Sequence, residues 1–122
     1  MATASNNPSI VILVTNDGLG KTGTPAGTPL QHKLAQTYLS LLNDNGLLPA
    51  AICFYTDGVK LVVEGSPVLE VLKSLESKGV HLVICSTCLS FFGLTDKVRV
   101  GIVGGMTDIV EAQWRADKVI TI

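Results

Sequence analysis

What most constrains the fold of this chain is a succession of short apolar runs separated by segments with helical spacing. The first run, Ser9 to Thr15 (SIVILVT), is continuous in aliphatic and β-branched residues. A run of that length without polar alternation suits a central strand covered on both faces. Further strand-length runs follow at Ala50–Tyr55, Val80–Cys85, Val98–Val103 and Lys118–Ile122. Between the first two, Leu30, Leu34, Tyr38 and Leu41 recur at helical spacing, and Gly46 is a natural terminator. Ser66-Pro67 predicts a helix start, Ser as N-cap and Pro at the first helical position. Val68, Leu72 and Leu75 would form its apolar face and Gly79 its end. Thr87–Phe92 reads as a short helix closed by Gly93, and Thr107 as the cap of a last helix carrying Ile109, Val110 and Trp114. Asn16–Pro29, rich in Gly, Thr and Pro, is loop; Val59–Glu64 fits either a strand or a connection with one helical turn. Strands alternating with helices imply βαβ units. The expected fold is therefore a three-layer α/β/α sandwich around a mostly parallel five-stranded sheet. It forms a single domain over residues 1–122, with residues 1–8 a loose arm.

Only six of the 122 residues are aromatic while 47% are hydrophobic, so the core must be aliphatic. Nine basic residues nearly balance ten acidic ones and no block of like charge occurs. That argues against a nucleic-acid surface and against a polybasic membrane patch. No Lys or Arg precedes Lys21, unlike a secretory signal, and no apolar run is long enough to span a bilayer. A cytoplasmic location is the expectation. Three cysteines, an odd number, do not suit a secreted disulfide framework.

In open parallel sheets, ligands sit beyond the carboxyl ends of the strands. That rule selects the loops beginning at Asn16, Thr56, Cys85 and Gly104. Cys85-Ser86-Thr87-Cys88 lies where the third strand turns into a helix. A thiolate at a helix start is stabilised, and Ser86 or Thr87 could cap the same helix. Two sulfurs at this spacing can also form a disulfide or exchange sulfur. Zinc would need about four ligands and one CxxC supplies two. His81 is roughly 13 Å along the strand from Cys85, and His32 has no partner motif, so no metal is expected. Nor does the pair have the surroundings of a thioredoxin motif, which follows the first strand of a βαβ unit. Cys53, within AAICFY, reads as core.

The loop Asn16-Asp17-Gly18-Leu19-Gly20-Lys21-Thr22 invites comparison with a phosphate loop. The glycine such a loop requires is replaced by Thr15, so the match fails. Flavin and phosphoaspartate readings fail as well, and no organic cofactor is implied. The loop reads as a flexible lid whose Lys21 or backbone N–H groups could hold an anionic sulfur group near Cys85. Asn16, Asp17, Lys21, Glu64, Ser86 and Thr87 are the pocket candidates. Glu64 also fits a simple helix-start acid, and Asp57 a turn residue. At least one of Phe91 and Phe92 is expected in the core, with the other at a subunit contact.

Taken together, VTNDGLGK after the first strand, GVKLVVEGS after the second, CSTCLSFFGL after the third and the closing ADKVITI resemble the DsrE/DsrF-like family. The resemblance spans about Ile10 to Ile122 and is nearest to the C-terminal domain of YedF-type selenium-metabolism proteins. It implies a sulfurtransferase-like sulfur relay, in which a cysteine accepts sulfane sulfur as a persulfide and passes it on. Cys85 matches the active cysteine of the TusD and DsrE branches in position and in spacing to Gly93. Cys88 has no counterpart there but looks like the second cysteine of the YedF-type motif, an accessory. The resemblance also implies a homo-oligomer. YedF-type proteins carry a TusA-like sulfur-carrier domain, so a TusA-like protein is an expected partner. Two other readings stay open: a non-catalytic oligomeric binding or regulatory module of the same fold, and a small dithiol redox protein using Cys85 and Cys88.

Overall fold

The computed structural model describes residues 8–122. Apart from Pro8, the expected N-terminal arm lies outside the described residues. Five strands, β1 (Ile10–Val14), β2 (Ala51–Phe54), β3 (His81–Cys85), β4 (Ile102–Gly104) and β5 (Lys118–Thr121), form one sheet in the order β4-β3-β2-β1-β5. Every pairing is parallel, with Val11 opposite Ala51 and Val119, Cys53 opposite Val83, and Cys85 opposite Gly104.

Four helices connect them: α1 (Thr28–Asp44), α2 (Leu69–Ser77), α3 (Ser86–Phe92) and α4 (Met106–Arg115). The first three connections step one strand at a time in the same direction, and right-handed crossovers then put α1, α2 and α3 on one face. Here Ile12, Val14, Ile52, Phe54, Leu82 and Ile84 of the strands meet Ala35 and Leu39 of α1, Leu72 and Leu75 of α2, and Leu89 of α3. The last connection runs back across the sheet from β4 to β5, so α4 lies on the opposite face. Ile109 is buried there over Val11, Leu13, Ala51, Cys53 and Cys85. Period-two alternation thus sends Cys53 and Cys85 to the face covered by α4.

Several expectations are revised. In α1 the buried stripe is Gln31, Ala35 and Leu39, whereas Leu30, Leu34 and Leu41 are exposed and Tyr38 is half-buried. The apolar spacing was real but marks the outward side, because the small Ala35 lets α1 approach the sheet. Ser66 Oγ does accept the Val68 N–H, at 3.2 Å, but α2 begins only at Leu69. The last helix is capped not by Thr107 but by Gly105, whose N–H donates to the Asp108 carboxylate at 2.9 Å. Residues Val98–Val103 do not form one strand. Gly101, at φ +87°, breaks the run, and Val98 instead bridges Val63 antiparallel. The ambiguous segment resolves as a 3₁₀ turn over Thr56–Val62. Gly58 is obligatory within it, since a Cβ there would overlap the Val14 carbonyl oxygen of β1.

Candidate functional site

The carboxyl ends of β1, β2 and β3 meet at the two sulfurs. Cys85 is the last residue of β3 and the N-cap of α3, and its side chain lies on the α4 face with only 2% of its surface exposed. Cys88, one helical turn on, is partly exposed. Both thiols are free. The direct attack on a donor expected of Cys85 needs an accessible thiolate, and burial closes that route. The hydroxyls of Ser86 and Thr87 stand exposed in the first turn, and no side chain caps the helix.

A residue absent from the expected set completes the arrangement. The Thr56 backbone N–H donates to Cys88 Sγ at 3.1 Å. Thr56 stands at φ +49°, the sole non-glycine residue with positive φ among the described residues. A β-branched residue in the left-handed region costs about 1–3 kcal/mol and persists only where the surroundings hold it. Here its Oγ1 lies 2.8 Å from the Thr15 carbonyl, just past β1, and 2.7 Å from the Tyr55 carbonyl, and its hydroxyl donates there. The strain therefore aims one N–H at one sulfur. The loop position at the end of β2 marks the residue in the sequence; its backbone conformation has no local signature.

Four influences act on Cys88. Burial pushes its thiol above the ordinary cysteine range, the Thr56 N–H opposes this, and a hydrogen bond with Cys85 and the charge of Cys85 add to the rise. Cys85 at the N-cap and Cys88 three residues on place both thiols at the start of α3. Cys53, wholly buried on β2, is pushed up to about 11 by loss of solvation, the behaviour of a core thiol.

Asn16, Asp17 and Lys21 do come together, lining a cavity of about 360 Å³ with Asp57 and Lys60. The cavity adjoins the thiol end of the sheet. Asp57 directly follows Thr56, and the Lys60 ammonium, 2.9 Å from the Asp57 carboxylate, also sits 4.6 Å over the Phe92 ring of α3. His32 is not partnerless: its Nε2 lies 2.8 Å from Asp17 Oδ1. The loop is braced as well as loop-like. The buried Gln31 side chain accepts the Thr22 N–H at 3.1 Å and donates to the Asp17 carbonyl at 3.1 Å. Glu64 lies elsewhere, its carboxylate 3.5 Å from Arg99 and 3.8 Å from Lys97, tying the segment after the 3₁₀ turn to the approach to β4. His81 is exposed at the opposite end of β3 from Cys85.

An all-parallel α/β sandwich with two free thiols at a strand's carboxyl end defines a class of small cysteine-bearing α/β domains. Residues 9–122 match the model of the DsrE/DsrF-like family, and the chain belongs to that family. No curated protein matches it at a significant level. Among solved structures, the ychN protein from E. coli superposes with a TM-score of 0.65 at 17% identity, over 93% of this chain and 99% of its own. A protein of unknown function from Methanobacterium thermoautotrophicum gives 0.62 at 18% identity, over 95% and 100%. A conserved protein of unknown function from Bacteroides thetaiotaomicron gives 0.62 at 19%, over 99% and 100%. At these identities the likeness is one of fold. Among the described residues, no helix is long and apolar enough to cross a membrane.

Proposed function

We propose that this protein is a sulfurtransferase-like carrier of sulfane sulfur, holding it as a persulfide on Cys85 and passing it to a partner. The observation that carries this reading is the placing of two free thiols three residues apart at the start of α3, one buried and one reachable. A persulfide seated at the buried position is shielded from water and stray thiols, while the neighbouring cysteine keeps a path to the surface. The family's association with sulfur relay and the likeness of CSTCLSFFGL to the YedF-type motif favour the same reading. The cavity at Asn16, Asp17 and Lys21 offers a cation and polar groups to the charged part of a small donor.

The exposed apolar side chains support self-association. Met106, Val110 and Trp114 recur at i, i+4 and i+8 along the outward side of α4, and Trp114 is 83% exposed. Phe91, also 83% exposed, stands beside the thiol pair, suited to the docking of a sulfur-carrying partner of the TusA-like kind.

Incubation of the reduced protein with glutathione persulfide tests the reading by intact mass. The expected result is a gain of about 32 Da per chain, removed by dithiothreitol and absent from the Cys85→Ser/Cys88→Ser double variant. A wild-type protein that gains no sulfur refutes it. The same pair of free thiols favours a redox reading, which would instead show a loss of about 2 Da as an intramolecular disulfide forms.

A further inference from the structure

Resting on the carrier reading, we propose that Cys88 makes the first bond to the donor sulfur, held for it by the Thr56 N–H, and that the sulfur then moves inward to Cys85. Donor access decides the order. A persulfide must present its outer sulfur along the line of its S–S bond, and Cys85, 2% exposed beneath α4, offers no such approach. Cys88 is partly exposed, and its neighbours in α3, Thr87 and Phe91, are exposed. The Thr56 N–H, at 3.1 Å from Cys88 Sγ, meets the charge the attacking sulfur carries. Its conformation is unexplained by packing alone: a strained threonine, tied to Thr15, occupies a position that glycine would fill without strain.

The two steps balance. Cys88 thiolate attacks the outer sulfur of a donor persulfide R–S–SH; the new bond is Cys88 S–S, the donor S–S bond breaks, and its electron pair leaves on RS⁻. The Cys85 thiol, three residues away at the N-cap of α3, then gives its proton to the Cys88 sulfur and attacks the outer sulfur. The Cys88 S–S bond breaks, leaving Cys88 as the thiol and Cys85 as the persulfide, Cys85–S–SH, whose outer sulfur keeps its own proton. No electron is gained or lost overall, so neither reductant nor oxidant is required.

Burial and the interaction with Cys85 keep most of Cys88 protonated at neutral pH, so the first step should quicken as pH rises.

Rapid-quench loading with glutathione persulfide, read by intact mass and fragment mapping, tests the order. Cys85→Ser should still load, no more slowly than wild type, with the sulfur on Cys88 and lost sooner to added glutathione. Cys88→Ser should load at least about tenfold more slowly. Equal loading of Cys88→Ser and wild type, or failure of a folded Cys85→Ser to load, overturns the order and leaves the carrier reading standing. A wild type that never loads overturns both. A measurement free of variants runs alongside: brief iodoacetamide treatment of the native wild-type protein should label Cys88 ahead of Cys85, and preferential labelling of Cys85 overturns the proposal.

Discussion

The Thr56 N–H and the Cys88 sulfur lie 3.1 Å apart, although the donor belongs to the end of β2 and the acceptor to the second half-turn of α3. The contact joins two connections that sequence alone keeps 32 residues apart. It depends on a left-handed threonine whose hydroxyl reaches the Thr15 and Tyr55 carbonyls, next to the close approach of Gly58 to β1.

Substitutions at Thr56 separate its strain from its aim. Thr56→Gly should leave stability within about 1 kcal/mol of wild type, because relief of the left-handed conformation offsets the lost hydroxyl bond. Thr56→Val keeps the unfavourable backbone and loses the tether, and should cost about 1–3 kcal/mol. Urea unfolding measures both. Alkylation profiles should move to higher pH in Thr56→Val, where the N–H is no longer held on the sulfur.

Gly58→Ala should be among the most damaging single-methyl changes in the chain. The added Cβ would overlap the Val14 carbonyl oxygen, which is backbone and cannot rotate away. A loss of about 2–3 kcal/mol is expected, together with slower Cys88 alkylation as the 3₁₀ turn carrying Thr56 shifts. Thermal unfolding and iodoacetamide kinetics on the same sample check the two effects.

Cys85→Ala should lower the pH at which Cys88 reacts. Cys85 contributes to the raised Cys88 value through its hydrogen bond and its charge, and removing it leaves burial as the raising influence with the Thr56 N–H opposing. The iodoacetamide rate against pH should shift toward lower pH in the variant; a shift the other way would mean that Cys85 assists ionisation of its neighbour.

Cys53 makes stability depend on pH in the alkaline range. Its thiol is held at about 11 in the folded protein against an ordinary 9.0, so the folded state binds the proton more tightly than the unfolded state. Its contribution is complete below about pH 9 and is lost as pH rises toward about 11, a fall of about 2–3 kcal/mol. Cys53→Ala should be less stable at pH 7 because of the cavity it leaves, yet lose less between pH 9 and 11. Urea midpoints across that range decide it.

Trp114 reports directly on self-association, because it is the sole tryptophan and is 83% exposed in the single chain. If the α4 stripe lies between subunits, emission should be blue-shifted at high concentration and move red on dilution. Trp114→Glu should lower the mass measured by light scattering. A mass of about 12.8 kDa at every concentration would leave the stripe uncovered.

How much was legible in the sequence varied with the range of the interactions involved. The element order was readable because strand-length apolar runs and helical spacing are local properties. The family and the place of the thiols at a strand's carboxyl end followed from that order and from motifs in sequence. Boundaries slipped where one residue's backbone decided them, as at Gly101, where positive φ cuts β4 to three residues. The side of α1 that faces the sheet was misread. Spacing marks an apolar stripe on Leu30, Leu34 and Leu41, but the close fit of Ala35 and the pairing of Gln31 with the loop chose the other side.

The cysteine pair divides the same way. That Cys85 and Cys88 occupy a strand end and the first turn of a helix is written in CSTC after a buried run. Which sulfur is covered is not, because it depends on α4 crossing back over the sheet after β4 and laying Ile109 over the face to which Cys85 points. Nor could the sequence place the Thr56 N–H on Cys88, a contact between two connections brought together only by the parallel pairing of β2 with β3. Local pattern determined the elements and their order. Long-range packing decided burial and the hydrogen-bond partner, the two properties that set the reactivity of each thiol.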